Sequence, residues 1–168
     1  MAPTMVDIAK IKKVGLLSKL APRELEALLK GAKQVTFEAG EEVLTQGSMN
    51  GSLYIIESGV LHARRTGGRR SVLLARLEPG TFFGEMSLFD PAPTSASIQG
   101  IADGTLIQIT RDCLNEFIEK HPRAAADLLQ KVLKGIARRL RMADDRVTNA
   151  LMFGGLGAGH LRKDKDGN

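Results

Sequence analysis

The chain has almost no cysteine, no histidine cluster and no long apolar run. Of its 168 residues only Cys113 is a cysteine, so no intrachain disulfide can form, which suits a reducing cytoplasm. No apolar stretch approaches the roughly 20 residues of a membrane-spanning helix, and the N-terminus carries no signal-peptide core. The expectation is a cytoplasmic protein that makes no use of a membrane. His62, His121 and His160 are scattered without metal-ligand spacing, so no metal site is expected. Cys113 lies beside Asp112, a poor setting for a low-pKa thiolate, and reads as a small core residue. No catalytic constellation emerges anywhere, and the chain is read as non-enzymatic.

What is present describes an ordinary globular protein. Hydrophobic residues make up 43% and charged residues 26%, the balance of one soluble domain with short extensions. A net charge of +5 raises nucleic acid as a partner. Many of the arginines, however, sit among acidic residues on a solvated helix face. Sequence-specific DNA binding is therefore not expected.

Residues 1–13 form a polar, lysine-bearing lead-in. Leu16, Leu17, Leu20, Leu25, Leu28 and Leu29 then fall partly at helical spacing. Pro22 suits the first turn of a helix over roughly Pro22–Lys30, with Glu24 and Glu26 toward its positive end. From Gln34 the pattern changes. Val35, Phe37, Val43, Leu44, Leu53–Ile56, Val60 and Leu61 occur in short runs separated by Gly40, Gly47, Gly59, Gly67-Gly68 and Gly80. Such spacing predicts an all-β barrel or sandwich. Arg69-Arg70 through Leu77 reads as another strand. Ile98–Ile101 and Leu106–Ile109 read as a last pair joined across Asp103-Gly104. Thr110-Arg111-Asp112 caps a helix carrying Leu114, Phe117 and Ile118, which His121-Pro122 ends.

The most informative stretch is Pro79-Gly80-Thr81-Phe82-Phe83-Gly84-Glu85-Met86-Ser87-Leu88, running on through a proline turn to Thr94-Ser95-Ala96-Ser97. Pro79-Gly80 opens a turn. Phe82 and Phe83 anchor a core, Gly84 allows close backbone approach, and Glu85–Leu88 winds into a short helical turn. Backbone N–H groups gathered at one spot suit an anion, while Glu85 suits a sugar hydroxyl. This stretch resembles the phosphate-binding cassette of the cyclic-nucleotide-binding domain family. Phe83-Gly84-Glu85-Met86-Ser87-Leu88 and Ser95-Ala96-Ser97 fit the family pattern, with Thr94 where the family has arginine. Phe37-x-x-Gly40-Glu41-x-Val43-x-x-Gln46-Gly47 and Leu53-Tyr54-Ile55-Ile56-x-x-Gly59 fit it too, so the resemblance runs from about Leu16 to about Leu151.

That resemblance implies a mainly β fold with flanking helices, a double-stranded β-helix (a jelly-roll-like β-roll) over residues 14–122. It implies a ligand site of Phe83, Gly84, Glu85, Met86, Ser87, Thr94, Ser95 and Ala96, taking cAMP, cGMP or a cyclic dinucleotide. In the family the arginine gives the phosphate a charge-assisted bond worth roughly 1.5–3 kcal/mol. Thr94 donates a hydrogen bond but no charge, which weakens such binding about ten- to a hundred-fold. A replacement cation could come from Arg69, Arg70 or Arg76 by folding. Arg64-Arg65 and Arg69-Arg70 otherwise keep a hairpin tip soluble.

From Arg123 to about Leu151 runs the longest helical pattern. Leu129, Leu133, Ile136, Leu140, Ala143, Val147 and Ala150 form a heptad seam. Part of it could pack on the chain's own β-roll. The resemblance implies that this helix, over 123–152, both lids the ligand pocket and pairs two copies into a homodimer. Phe153-Gly154-Gly155-Leu156-Gly157-Ala158-Gly159 has neither a strand before it nor a helix after it, so a dinucleotide or P-loop fingerprint fails. Residues 153–168 read as a disordered tail, and no output domain is visible. Two functions fit: a cyclic-nucleotide sensor acting on a protein effector, or a dimeric interaction module with a vestigial pocket.

Overall fold

The structure is a computed structural model and describes residues 15–154. The lead-in over 1–13 and the tail from residue 155 fall outside the described residues, as does His160. Helix α1 (Pro22–Leu29) starts where Pro22 has no N–H to satisfy, and the Glu24 carboxylate accepts the Ala21 N–H at 2.8 Å. Leu25, Leu28 and Leu29 lie on its buried face. Six strands follow among the described residues: β1 (Lys33–Phe37), β2 (Glu42–Leu44), β3 (Ser52–Gly67), β4 (Arg70–Leu77), β5 (Phe82–Phe83) and β6 (Ser97–Thr110). Helix α2 (Glu85–Phe89) lies between β5 and β6, and α3 (Arg111–Lys120) and α4 (Pro122–Gly154) close the order. The Thr110 hydroxyl caps α3 by accepting the Cys113 N–H at 3.3 Å, and α3 stops at His121 before Pro122 begins α4.

The strands form one antiparallel sheet in the order β1-β6-β3-β4, with β2 also on β6 and β5 also on β3. Strand alternation sorts its side chains into two layers. Tyr54, Ile56, Leu61, Ala63, Leu77, Phe83, Ile98 and Leu106 share one cluster with Phe37, the interior of the roll. Leu53 and Ile55, with their cross-strand partners Ile109 and Ile107, take the opposite face and are just as buried. Helix α3 packs on β6 there, and its Cys113 thiol donates to Leu28 O of α1 at 3.1 Å. Each such leucine or isoleucine contributes about 1.5–3 kcal/mol by leaving water.

Two expected turns prove to be strand interior. Gly104 does not separate two strands, because β6 runs unbroken from Ser97 to Thr110. Gly59 likewise lies within β3, where the β3–β6 register shifts between Ser58 and Val60. The physical reason is close backbone crossing and not reversal. A Cβ on Gly59 would lie 2.7 Å from both Asp103 O and Gly104 Cα and 2.8 Å from Phe37 Cζ, and its φ is +84°. Glycine at a bulge keeps the two long strands paired while the roll bends.

The chain divides into two compact units at Leu129–Gln130. The second consists, in the described residues, of the rest of α4. Along it Leu133, Leu140, Val147 and Leu151 are all more than half exposed. Phe153 and Gly154, expected in the tail, still belong to this helix.

Gly59→Ala should destabilise the protein by at least about 2 kcal/mol, since it adds both a disfavoured φ and three overlaps. Urea unfolding measures this directly. Gly68→Ala is the control: the φ there is also positive, +60°, but a Cβ meets nothing within 4 Å, so its loss should be the smaller one.

Candidate functional site

The candidate site is built where β5 hands over to α2. Phe83 pairs with Tyr54 across the β5–β3 ladder, and their rings stack with centroids 5.0 Å apart. Immediately afterwards Gly84 turns the chain in the left-handed conformation, φ +83°. Two constraints demand glycine here. A side chain resists that φ, and a Cβ would sit 2.5 Å from Ser52 O and 2.9 Å from Asn50 Nδ2. The turn is therefore pressed onto the start of β3, and the next residue, Glu85, begins α2 with its side chain almost wholly buried, 4% exposed. Ser87 and Leu88 are buried with it, whereas Met86 and Phe89 face solvent.

Three side chains outside the expected set hold this turn. Asn50 Nδ2 donates to Ser52 O at 2.7 Å and to Gly84 O at 3.3 Å, while its Oδ1 accepts the Ser52 N–H at 3.1 Å. Arg111 Nη2 donates to Ser87 O at 3.1 Å, and the Arg111 N–H donates to Gly51 O at 3.1 Å. Beneath them Gln108 Nε2 donates to Ser52 Oγ at 3.0 Å and to the Tyr54 hydroxyl oxygen at 3.2 Å. Burial raises the Tyr54 pKa above the usual tyrosine value, with the Ser52 and Gln108 hydrogen bonds acting the other way. Tyr54 is thus a neutral hydrogen-bonding group at physiological pH.

The second half of the site starts at Thr94, which is 8% exposed. Its hydroxyl donates to Thr45 O at 2.6 Å and lies 3.5 Å from Ser48 Oγ. The backbone is held separately: Thr94 N–H donates to Ser48 O at 2.8 Å, and Gly47 N–H donates to Thr94 O at 2.9 Å. Gln46 ties the same 45–48 turn to the rest of the sheet, through Ser97 Oγ to its N–H and through both backbone groups of Thr66 to its side chain. Ser95 is exposed and Ala96 half-buried. Ser95 Oγ lies 4.0 Å from Met86 Sδ, so the two sequence-distant halves of the expected site do meet.

Other candidates fall elsewhere. Arg69, Arg70 and Arg76 are all exposed. Arg70 faces Gly67 across the hairpin tip, and Arg76 pairs with Glu78 at 2.9 Å in solvent. His121 stacks on Phe117. Cys113 is buried, and burial is the main cause that lifts its thiol pKa, with Glu116 adding to it. Among the described residues no group of three His, Cys, Asp or Glu could hold a metal ion. Sequence reasoning missed Asn50, Gln108 and Arg111. Only Asn50 left a signal, an Asn-Gly pair ahead of a strand, where a carboxamide bonds the backbone two residues on.

Known proteins resemble this chain in sequence and in fold. The family model described as the cyclic nucleotide-binding domain matches residues 34–121. A CRP-like cAMP-activated global transcriptional regulator from Mycobacterium tuberculosis is 31% identical over 142 residues, 84% of this chain and 62% of that protein. The chain thus spans less than two thirds of that relative's length. The crystal structure of the Thermus thermophilus catabolite activator protein superposes with a TM-score of 0.69 at 34% identity, covering 83% of this chain and 63% of that one. A cyclic nucleotide-binding domain from Methylobacillus flagellatus shares the fold with a TM-score of 0.74 at 22% identity, covering 84% and 80%.

The layer beneath the turn makes one prediction. Tyr54→Phe keeps the ring stack on Phe83 but removes one acceptor from Gln108, so stability should fall by about 1 kcal/mol. Thermal unfolding checks it, and an unchanged midpoint would mean that the hydroxyl contributes nothing to the layer.

Proposed function

The chain belongs to the cyclic nucleotide-binding domain family, and from that premise we propose that it is a non-enzymatic regulatory module whose 83–96 segment takes a cyclic nucleotide. One observation carries this reading. Gly84 holds the left-handed turn and delivers Glu85, a buried carboxylate, to the start of α2. A carboxylate accepts hydrogen bonds and donates none, and a ribose hydroxyl is a donor it can accept from. Backbone N–H groups of the turn meet the cyclic phosphate, and Ser95 and Ala96 close the site from the other half. Catalytic groups have no place in this scheme, nor has a metal: the module works by binding, and ligand occupancy shifts a conformational equilibrium read by a protein effector. We place it in the cytoplasm. No helix among the described residues is long and apolar enough to cross a membrane.

A second reading has its own support. The Thr94 hydroxyl is committed to Thr45 O at 2.6 Å, which directs it to the neighbouring turn in place of a ligand. On this reading the pocket is vestigial and the protein is a dimeric interaction module. Both readings use the α4 stripe. Leu133, Leu140 and Val147, seven residues apart, are 65%, 61% and 59% exposed, and two copies pairing through 123–152 would cover them.

Two experiments separate these possibilities. Thr94→Arg should strengthen cAMP or cGMP binding by at least about tenfold in calorimetric titration, because one charge-assisted bond is gained. Glu85→Ala in that background should remove much of the gain. An arginine variant that binds no better than the parent favours the vestigial reading. For assembly, Ile136→Asp places charge in the middle of the stripe and should turn a dimer into a monomer in sedimentation. A parent protein already monomeric at about ten micromolar and above would refute the dimer.

A further inference from the structure

Of the three side chains outside the motif that hold the cassette turn, Asn50 is the one that bonds the Gly84 carbonyl. We infer that Asn50 is a positioning residue for ligand binding: its carboxamide fixes the orientation of the Gly84–Glu85 peptide, and through it the direction in which Glu85 is presented. The inference rests on the ligand site proposed above.

A peptide unit is planar and trans, so its C=O and N–H point to opposite sides. Asn50 Nδ2 holds the Gly84 carbonyl oxygen at 3.3 Å, from outside α2, and the Leu88 N–H donates to the same oxygen from within it at 3.3 Å. These contacts send the Glu85 N–H to the side away from Asn50 and β3, toward the position of a ligand. Asn50 itself is immobilised from the other end, since its amide also donates to Ser52 O and its Oδ1 accepts the Ser52 N–H. The Cβ that Gly84 lacks would lie 2.9 Å from Asn50 Nδ2, so the carboxamide and the glycine form one close contact. The support is continuous with α2. Gly51, the next residue, accepts from the Arg111 N–H, and the Arg111 guanidinium holds Ser87 O two residues beyond Glu85. Segment 50–52 therefore braces both the turn before Glu85 and the carbonyl after it. Left-handed glycine is one of several conformations that residue can take, and the Asn50 donor selects among them together with the Leu88 N–H.

Asn50→Asp isolates the donor. It keeps the size of the side chain and the acceptor for the Ser52 N–H, but turns a carboxylate oxygen toward two carbonyl oxygens. Hydrogen exchange read residue by residue on the ligand-free protein should show at least tenfold faster exchange at Leu88, whose N–H donates to Gly84 O, in Asn50→Asp and in Asn50→Ala. Exchange at Ile107, in the β3–β6 ladder, should change far less. In calorimetric titration with cAMP, the same variants made in the Thr94→Arg background should bind at least tenfold more weakly while remaining folded. Unchanged exchange at Leu88 in Asn50→Asp overturns the inference whether or not any nucleotide binds. So does unchanged cAMP affinity where the Thr94→Arg protein binds. If Thr94→Arg binds no cyclic nucleotide at all, the sensor reading falls, and exchange at Leu88 alone decides whether Asn50 orients the turn.

Discussion

The structure depends on the pairing of β3 with β6. Two strands of 16 and 14 residues run antiparallel from Ser52 opposite Thr110 to Arg64 opposite Ser97. Strands so long would twist apart or splay if kept regular. Here the register shifts between Ile56 and Leu61, where Gly59 and Gly104 let the backbones approach without side chains. The bend that results gives one pair of strands two tasks. Near Ser52 and Thr110 the ladder carries the helices on one face and the roll interior on the other; near Arg64 and Ser97 it closes the roll.

The polar layer under the cassette belongs to the same ladder. Ser52 and Tyr54 are consecutive interior-facing positions of β3, and Gln108 is the β6 residue opposite Tyr54. Alternation alone puts their side chains together. Buried polar groups are stable only when satisfied, and the Gln108 amide meets this by donating to both oxygens. A rigid floor follows, and the Phe83 ring lies flat on it. The site is thus positioned by strand register before any residue of the cassette contributes.

The fold was legible in the sequence because glycine spacing and short apolar runs survive any rearrangement of detail. The two halves of the candidate site were legible as motifs for a related reason: Gly84 and Glu85 are local in sequence. What could not be read was non-local. Asn50 and Gly84 are 34 residues apart, and Arg111 and Ser87 are 24 apart. No periodicity announces such contacts. Gly59 and Gly104 misled for a physical reason, since glycine marks close backbone approach as readily as it marks a turn. Composition cannot tell the two uses apart.

Thr94 reads differently in the sequence and in the structure. From the motif it is the place of a missing charge. In the structure its backbone is fixed by two hydrogen bonds to the 47–48 turn, neither of which involves its side chain. The conformation of this half of the cassette is therefore set by the turn, and the identity of residue 94 adds a short bond to Thr45 O and a longer one to Ser48 Oγ. A net hydrogen bond of that kind is worth about 1 kcal/mol, comparable with or below what a charged donor gains on a phosphate. On the two readings proposed above, sensor and vestige share one backbone. They differ in a single side chain whose energy is small beside that of the β3–β6 ladder. A fold of this kind keeps its shape while its ligand affinity rises or falls by a factor of ten to a hundred. What the cassette holds is for that reason decided less by its backbone form than by the chemistry at Thr94 and Glu85.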